Sequence, residues 1–402
     1  MVSMHTAPDA PAGAADAGGM NVAILATATE LAARGVEVDL ITRATDMAGV
    51  RLIAPGVTQH SLPAGPRRSM PKNDLMHYGD EFGEQLARLA GRGFARYDVI
   101  HAHYWLSGLA ALPVALELGI PFVQSFHTLG VMKNAHLAIG DRPEPERRLW
   151  VEAYLGTQAD AIIASSSAEV AAVMDEVHAP GDRVWIIPPG VDAARFTPER
   201  RDGADATRER FGLPTGRPLV TVVGRVQPLK GQDLAVRALA AIEGERPVLV
   251  IVGEATPGAD GYAERLASLA VDLGVSADVV FLGRLGRDDV ADVLAASALV
   301  LVPSHSETFG LVAVEAAASG TPSVGYRSGG LSESIDDGGS GILLDSRDPA
   351  EWAAAIAGLL RNPRRIMQLS TTARAFAEQF SWATAATSLL GIYAALRAKA
   401  QS

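Results

Sequence analysis

Short runs of aliphatic and β-branched residues alternate along this chain with longer segments whose apolar positions recur at helical spacing. In the first half the runs fall at residues 2–5, 36–42, 99–103, 122–125, 161–164 and 184–187. In the second half they fall at residues 219–223, 248–252, 279–282, 299–302, 322–326 and 342–344. Near-continuous apolar strands separated by helical segments predict parallel sheets covered on both faces by helices. Residues 188–217 are rich in proline and charge and read as the linker between two such units. The tail, residues 380–400, reads as a helix carrying Trp382, Leu389, Leu390 and Tyr393. The expected organisation is an α/β chain of two doubly wound, Rossmann-like domains facing a central cleft. Its parts are an N-terminal domain over residues 1–190, a C-terminal domain over 191–379, and a terminal helix over 380–402 that returns to the first domain. No period of solenoid length repeats along the chain.

In doubly wound sheets, ligands gather beyond the carboxyl ends of the strands, so the residues that follow each strand matter most. Directly after the run at 299–302 comes Ser304-His-Ser-Glu-Thr-Phe-Gly-Leu-Val-Ala-Val-Glu315. Phe309, Gly310 and Leu311 would open the next helix and present its free N–H groups, a natural seat for a diphosphate. Glu307 and Glu315 flank that turn and could accept hydrogen bonds from sugar hydroxyls. Taken alone, they read equally well as a solvated loop glutamate and a helix glutamate. After the run at 219–223 comes Gly224-Arg225-Val-Gln-Pro-Leu-Lys230-Gly231, a glycine-bounded loop with two cations. Arg225 and Lys230 there suit the charge of a diphosphate leaving group. In the N-terminal half, Asp16-Ala-Gly-Gly-Met-Asn21 is a Gly-Gly turn that opens the first helix and could bring backbone, at Gly19, close to a sugar or phosphate. It matches neither the dinucleotide fingerprint nor the Walker loop.

Composition narrows the chemistry. The 402 residues suffice for two domains with separate cores, and 48% are hydrophobic against 20% charged. A net charge of −11 argues against a nucleic-acid face, so any anionic substrate must meet cations placed locally. With no cysteine there is neither a disulfide nor a thiolate zinc site. No apolar run approaches the roughly 20 residues of a membrane span, and no secretion signal is evident, so a cytoplasmic location is expected. His101 and His103 share one strand face, which reads better as packed, hydrogen-bonded imidazoles than as a metal pair. No Asp-x-Asp occurs, and no ligand cluster requires Mg²⁺ or any other cofactor.

Arg225 with Lys230, and Glu307 with Glu315 around Phe309-Gly310-Leu311, resemble the donor motif of retaining GT-B glycosyltransferases. Much of the chain further resembles the D-inositol-3-phosphate glycosyltransferases of mycothiol biosynthesis. That likeness runs through Met4-His5-Thr6, the Asp16–Asn21 turn, His103-Tyr104-Trp105-Leu-Ser-Gly108, His127-Thr128-Leu129 with Lys133-Asn134, and Phe380-Ser381-Trp382. The resemblance implies transfer of N-acetylglucosamine from UDP-GlcNAc to 1D-myo-inositol 3-phosphate, with no metal required and a homodimeric assembly. It implies a donor site of Gly19, Arg225, Lys230, Glu307, Phe309, Gly310, Leu311 and Glu315. It implies an acceptor site of His5, Asn21, Lys72, Tyr104, Thr128 and Arg148, with Asn21 near the inositol ring. Its catalytic residues would be Arg225, Lys230, Glu307 and His127, the last hydrogen-bonding the donor sugar. Two cations and two hydroxyls suit a phosphate monoester better than a neutral sugar. The chain departs from the pattern in its short first strand, in Arg67 and Arg68 beside Lys72, and at Glu254, where a small residue is expected. A related transferase using another cyclitol or sugar acceptor, a nucleotide-sugar 2-epimerase and a non-catalytic nucleotide-sugar binding protein are the competing readings.

Overall fold

The structure, a computed structural model, describes residues 1–11, 13, 17–91, 97–139, 141–255 and 261–401. The first seven strands are β1 (Val38–Arg43), β2 (Gly49–Ala54), β3 (Val57–Leu62), β4 (Ile100–His103), β5 (Phe122–Ser125), β6 (Ala161–Ala164) and β7 (Val184–Ile186). They form a β2-β3-β1 group and a β4-β5-β6-β7 group. Val2 forms parallel bridges to Ile41 of β1 and Ala102 of β4, so the first residues lie between the two groups. Four backbone bonds secure that seam, among them Val2 N–H to His101 O at 2.8 Å and His103 N–H to Val2 O at 2.9 Å. The expected strand at 2–5 is thus a single bridged residue.

The other six strands are β8 (Leu219–Val223), β9 (Val248–Val252), β10 (Val279–Gly283), β11 (Leu299–Val302), β12 (Ser323–Tyr326) and β13 (Gly341–Leu344). They pair in the order β10-β9-β8-β11-β12-β13, all parallel. Chain order reverses between β8 and β11, and in the first sheet between the Val2 seam and β4. Those are the topological switch points, where connecting helices leave to opposite faces and a crevice opens. Cys-free aliphatic cores fill both faces of each sheet, as a buried parallel sheet requires.

Two features differ from the sequence reading. The β2–β3 hairpin was not expected, because β2 is mostly exposed and leaves Val50 and Leu52 in solvent, so its pattern lacks a buried face. The supposed linker is largely part of the second domain: Val191 and Phe196 are buried in its core, and Arg200 pairs with Asp288 and Asp292. The chain crosses between domains twice at one place. A Cβ on Gly190 would lie 2.1 Å from the Trp382 N, so the two crossing strands of backbone touch only because this residue has no side chain. From there the helix Trp382–Gln401 buries Ala386, Leu389 and Ile392 against Ile24, Ala28 and Leu31 of the helix Gly19–Ala32. Burying each of the larger side chains contributes about 2 kcal/mol.

Candidate active site

The cleft between the domains has a volume of about 1540 Å³ and receives residues from both switch points. On the C-terminal side, β8 is followed by Gly224 and β9 by Gly253, whose amides donate to Val252 O at 2.9 Å and Gly283 O at 2.8 Å. A Cβ on Gly253, at φ 144°, would meet Gly224 O at 1.9 Å, so the strand ends approach this closely only as glycines. The freed loop carries Arg225 and Lys230 into the cleft. Lys230 Nζ donates to Glu307 Oε1 at 2.6 Å, and Ser304 Oγ donates to the same oxygen at 2.7 Å. Gly310, at φ 92°, opens the helix Leu311–Ala318, and a side chain there would strike Leu331. Phe309 is buried with its ring edge-on to Phe380 at 5.5 Å, which holds the turn so that the first amides of the helix face the cleft. Glu315 is nearly enclosed and is held by Arg287 at 2.7 Å.

The N-terminal wall opposes it. The first turns of two helices meet across the gap: a Cβ on Gly19 would lie 3.9 Å from Leu311 Cδ2. Tyr104 adopts φ 75°, an uncommon conformation for a residue with a side chain, directly where β4 ends. Its ring lies 4.5 Å from that of His5, with Lys72 Nζ 5.5 Å and the Arg148 guanidinium 5.0 Å from its centroid. Arg148 is 2% exposed yet faces the cleft, and its Nη2 donates to Thr128 O and Oγ1 at 2.7 and 3.1 Å. Burial works against its charge, but Tyr104, Glu152 and Glu144 outweigh that and raise its pKa.

His127 also has a positive φ, 60°, and its Nε2 lies 2.9 Å from His103 Nδ1. Burial pushes its pKa down to about 4, so it enters the site as a neutral imidazole. The His101 ring lies tilted against that of His103, centroids 4.2 Å apart, and is itself bonded to Tyr393 of the terminal helix at 2.6 Å and to Ser125 at 2.9 Å. Among the described residues, no three His, Asp or Glu side chains gather as a metal-ligand set. The domains are bonded across the cleft floor. Thr308 Oγ1 donates to His127 O at 2.8 Å, Ser166 Oγ to Thr308 O at 2.7 Å, and Ser167 N–H to Glu333 Oε1 at 2.7 Å.

The structure therefore brings Gly19, Arg225, Lys230, Glu307, Phe309, Gly310, Leu311 and Glu315 together with His5, Lys72, Tyr104, His127, Thr128 and Arg148 on one cleft. Asn21 is the exception. It is buried, its Oδ1 accepts from Gly18 N–H at 3.0 Å, and its amide donates to Thr6 Oγ1 and Ala7 O. It ties down the loop that precedes the helix. Asp16 of the Gly-Gly turn and residues 256–258 of the loop after β9 lie outside the described residues. Glu254 turns its carboxylate towards Arg284, 3.8 Å away, and Arg43 braces the Arg67–Arg68 segment through Pro66 O and Arg68 O. Sequence reading did not single out Arg287 or Glu169, whereas the pairing of Arg148 with Glu144 and Glu152 follows from their i, i+4 spacing. Arg287 was within reach, since it follows β10 at the same sheet edge. Glu169 faces the cleft floor with one oxygen unpaired, and burial raises its pKa to about 7.

Two family patterns divide the chain in the same way: Glycosyltransferase Family 4 matches residues 17–195 and Glycosyl transferases group 1 matches residues 204–376. The chain is 42% identical to the D-inositol 3-phosphate glycosyltransferase of Acidothermus cellulolyticus, covering 98% of this chain and 89% of that one. It is also 42% identical to the protein of that name from Mycolicibacterium smegmatis, covering 98% and 90%. Among solved structures, sucrose-phosphate synthase from Thermosynechococcus elongatus superposes with a TM-score of 0.91 at 29% identity over 99% of this chain and 98% of that one. The Anabaena protein HepE, seen with UDP and glucose, shares the fold at a TM-score of 0.78 and 21% identity, covering 98% of both chains.

Proposed function

Since the chain belongs to the D-inositol 3-phosphate glycosyltransferases, GT-B enzymes of the glycosyl transferases group 1, we propose that it moves N-acetylglucosamine from UDP-GlcNAc to 1D-myo-inositol 3-phosphate with retention. One observation carries this reading. A diphosphate-type seat, made of Arg225, Lys230 and the Gly310 helix start, faces a second cationic pocket of Lys72, Tyr104, Thr128 and Arg148 across a single cleft. The first suits a leaving nucleotide and the second a phosphate monoester.

In this scheme an acceptor hydroxyl attacks the anomeric carbon from the face the nucleotide leaves. The new bond is from that oxygen to carbon, the bond to the β-phosphate oxygen breaks, and the hydroxyl proton passes to the departing phosphate. Lys230 and Arg225 stabilise the charge that grows on the leaving group. Neutral His127 offers a hydrogen bond to the sugar, and His103 holds its ring in place. Glu307 fixes Lys230 and, with Glu315, faces the sugar hydroxyls. Positioning between two walls then does most of the work.

The decisive assay follows UDP release and product mass with UDP-GlcNAc and either inositol 3-phosphate or unphosphorylated inositol. Turnover with the phosphorylated acceptor and little without it is the expected result. Equal turnover with both would remove the role given to the Lys72 and Arg148 pocket. We further propose that the enzyme is a cytoplasmic homodimer and works without added Mg²⁺. Light scattering should give twice the 42.0 kDa chain mass, and EDTA should leave turnover intact. No helix among the described residues is long and apolar enough to cross a membrane.

A further inference from the structure

The Arg148 guanidinium is already engaged on every side. Its Nε donates to Glu152 Oε1 at 2.7 Å, its Nη1 pairs with Glu144 Oε2 at 2.9 Å, and its Nη2 bonds Thr128. Glu152 and Glu144 differ in kind. Glu152 is 1% exposed and also accepts from Gly130 N–H at 2.8 Å, so it is built into the wall. Glu144 is on the cleft surface, and its other carboxylate oxygen pairs with the Lys133 ammonium. Asn134 Oδ1 accepts from the Glu144 backbone N–H at 2.7 Å and places the carboxylate between the two cations. Burial alone would raise the pKa of this group, but Arg148 and Lys133 hold it at about 2, so it is an anion at neutral pH.

We infer that Glu144 is an internal counter-anion, bridging Lys133 to Arg148 at the edge of the Lys72, Tyr104, Thr128 and Arg148 pocket, whose carboxylate is displaced from Arg148 when the acceptor phosphate binds. This rests on the acceptor assignment given above. An empty pocket of several cations would repel itself and relax, whereas a resident carboxylate keeps Arg148 and Lys133 pointing at the cleft. The exchange also selects the ligand. A phosphate monoester brings a charge of about −1.5 to −2 and three acceptor oxygens, against one charge and two oxygens on Glu144. It can therefore replace the carboxylate, while a neutral cyclitol or a carboxylate-bearing one gains nothing by doing so. Glu144 thus acts on specificity from outside the reacting atoms.

The test compares wild type with Glu144→Gln, which keeps shape and removes charge. With UDP-GlcNAc saturating, the KM for inositol 3-phosphate should fall about three- to tenfold, the range expected for losing one competing charged partner. Inorganic phosphate, used as an inhibitor, should gain potency by a similar factor. A KM that rises or stays level, with kcat falling, would overturn the displacement and make Glu144 a brace for Arg148. If Glu144→Gln lowers Tm by more than a few degrees, Glu144→Asp takes its place. Its shorter side chain reaches the cations less well, so the same fall in KM is expected and the same rise would overturn the inference. The wild type separates the two layers. Failure to prefer the phosphorylated acceptor sinks the acceptor assignment, whereas a clear preference with unchanged variants sinks only the displacement.

Discussion

Lys230→Ala should lower kcat by about a hundredfold to a thousandfold while leaving the KM for the acceptor nearly unchanged. The loss corresponds to about 3–4 kcal/mol, typical for removing one preorganised charge from a developing anion. The geometry supports an effect of that size. Lys230 is held by Glu307 at 2.6 Å at the end of a loop closed by Gly231, so its position is set before substrate arrives. Ser304 shares the same carboxylate oxygen, which keeps Glu307 from turning away. Because the ammonium would act on the leaving diphosphate and not on the acceptor wall, turnover suffers and acceptor binding does not. The variant also leaves the Glu307 carboxylate half-buried without its partner, so a modest fall in Tm should accompany the loss. Steady-state kinetics at saturating donor decide the matter. A kcat within about threefold of wild type would mean that Arg225 and the helix amides carry the charge alone.

The second large effect is acid instability. His5, His101, His103 and His127 form one group along the N-terminal wall, and burial is the first cause of a lowered pKa in each. In the unfolded chain these imidazoles titrate near 6.5. In the fold His127 titrates near 4 and the other three well below the usual range. Between those limits the unfolded chain binds more protons than the native one. Protonation therefore favours unfolding, and stability falls as pH drops from about 6.5 towards 4. Each imidazole contributes at most about 1.4 kcal/mol per pH unit. Glu169 opposes them, since its raised pKa of about 7 makes the native state the better proton binder between about 4.5 and 7. His305, lowered to about 4 by burial, adds to the loss, and the raised Glu152 and Asp141 subtract from it, so the balance of lowered imidazoles still favours unfolding in acid. Thermal unfolding between pH 8 and 4.5 should show Tm level above pH 7 and falling steeply below 6. A flat profile would mean that these rings are protonated in the native state. Replacing His101 by Asn should flatten the slope, because the remaining rings titrate without that proton.

Reading the chain as a pattern worked where the local signal and the tertiary role coincide. β5, β6, β8, β9 and β11 appear at the residues their apolar runs indicated, because a strand buried on both faces is predominantly apolar. β2 escaped for the opposite reason, as an exposed strand has no such constraint. Gly224, Lys230 and Gly310 were visible as candidates because they lie in the segments that lead from β8 and β11 into the next helices, and parallel sheets gather ligands there. Asn21 looked like a ligand contact by likeness, and its amide is bonded to the Thr6 hydroxyl and to the backbone of Ala7 and Gly18.

By itself, then, the sequence determined the class of the molecule: two parallel sheets with chemistry at their strand ends, and the two cations and the helix start of one wall. These are local properties, written in hydrophobic period and turn residues. Long-range partnership was decided only by the tertiary structure. Glu144 and Glu152 reach Arg148 at a helical spacing already present in the sequence, but Thr128 engages it from a separate segment. Arg287 reaches Glu315 from a separate strand end, and Thr308 joins His127 from the other domain. The terminal helix returns Tyr393 to His101, nearly 300 residues away in the chain. Beyond the i, i+4 spacing of a helix, a charged side chain does not carry its partner's address in its own neighbourhood. The cost of burying it is met by whichever group the fold brings within hydrogen-bond reach, and only packing selects that group.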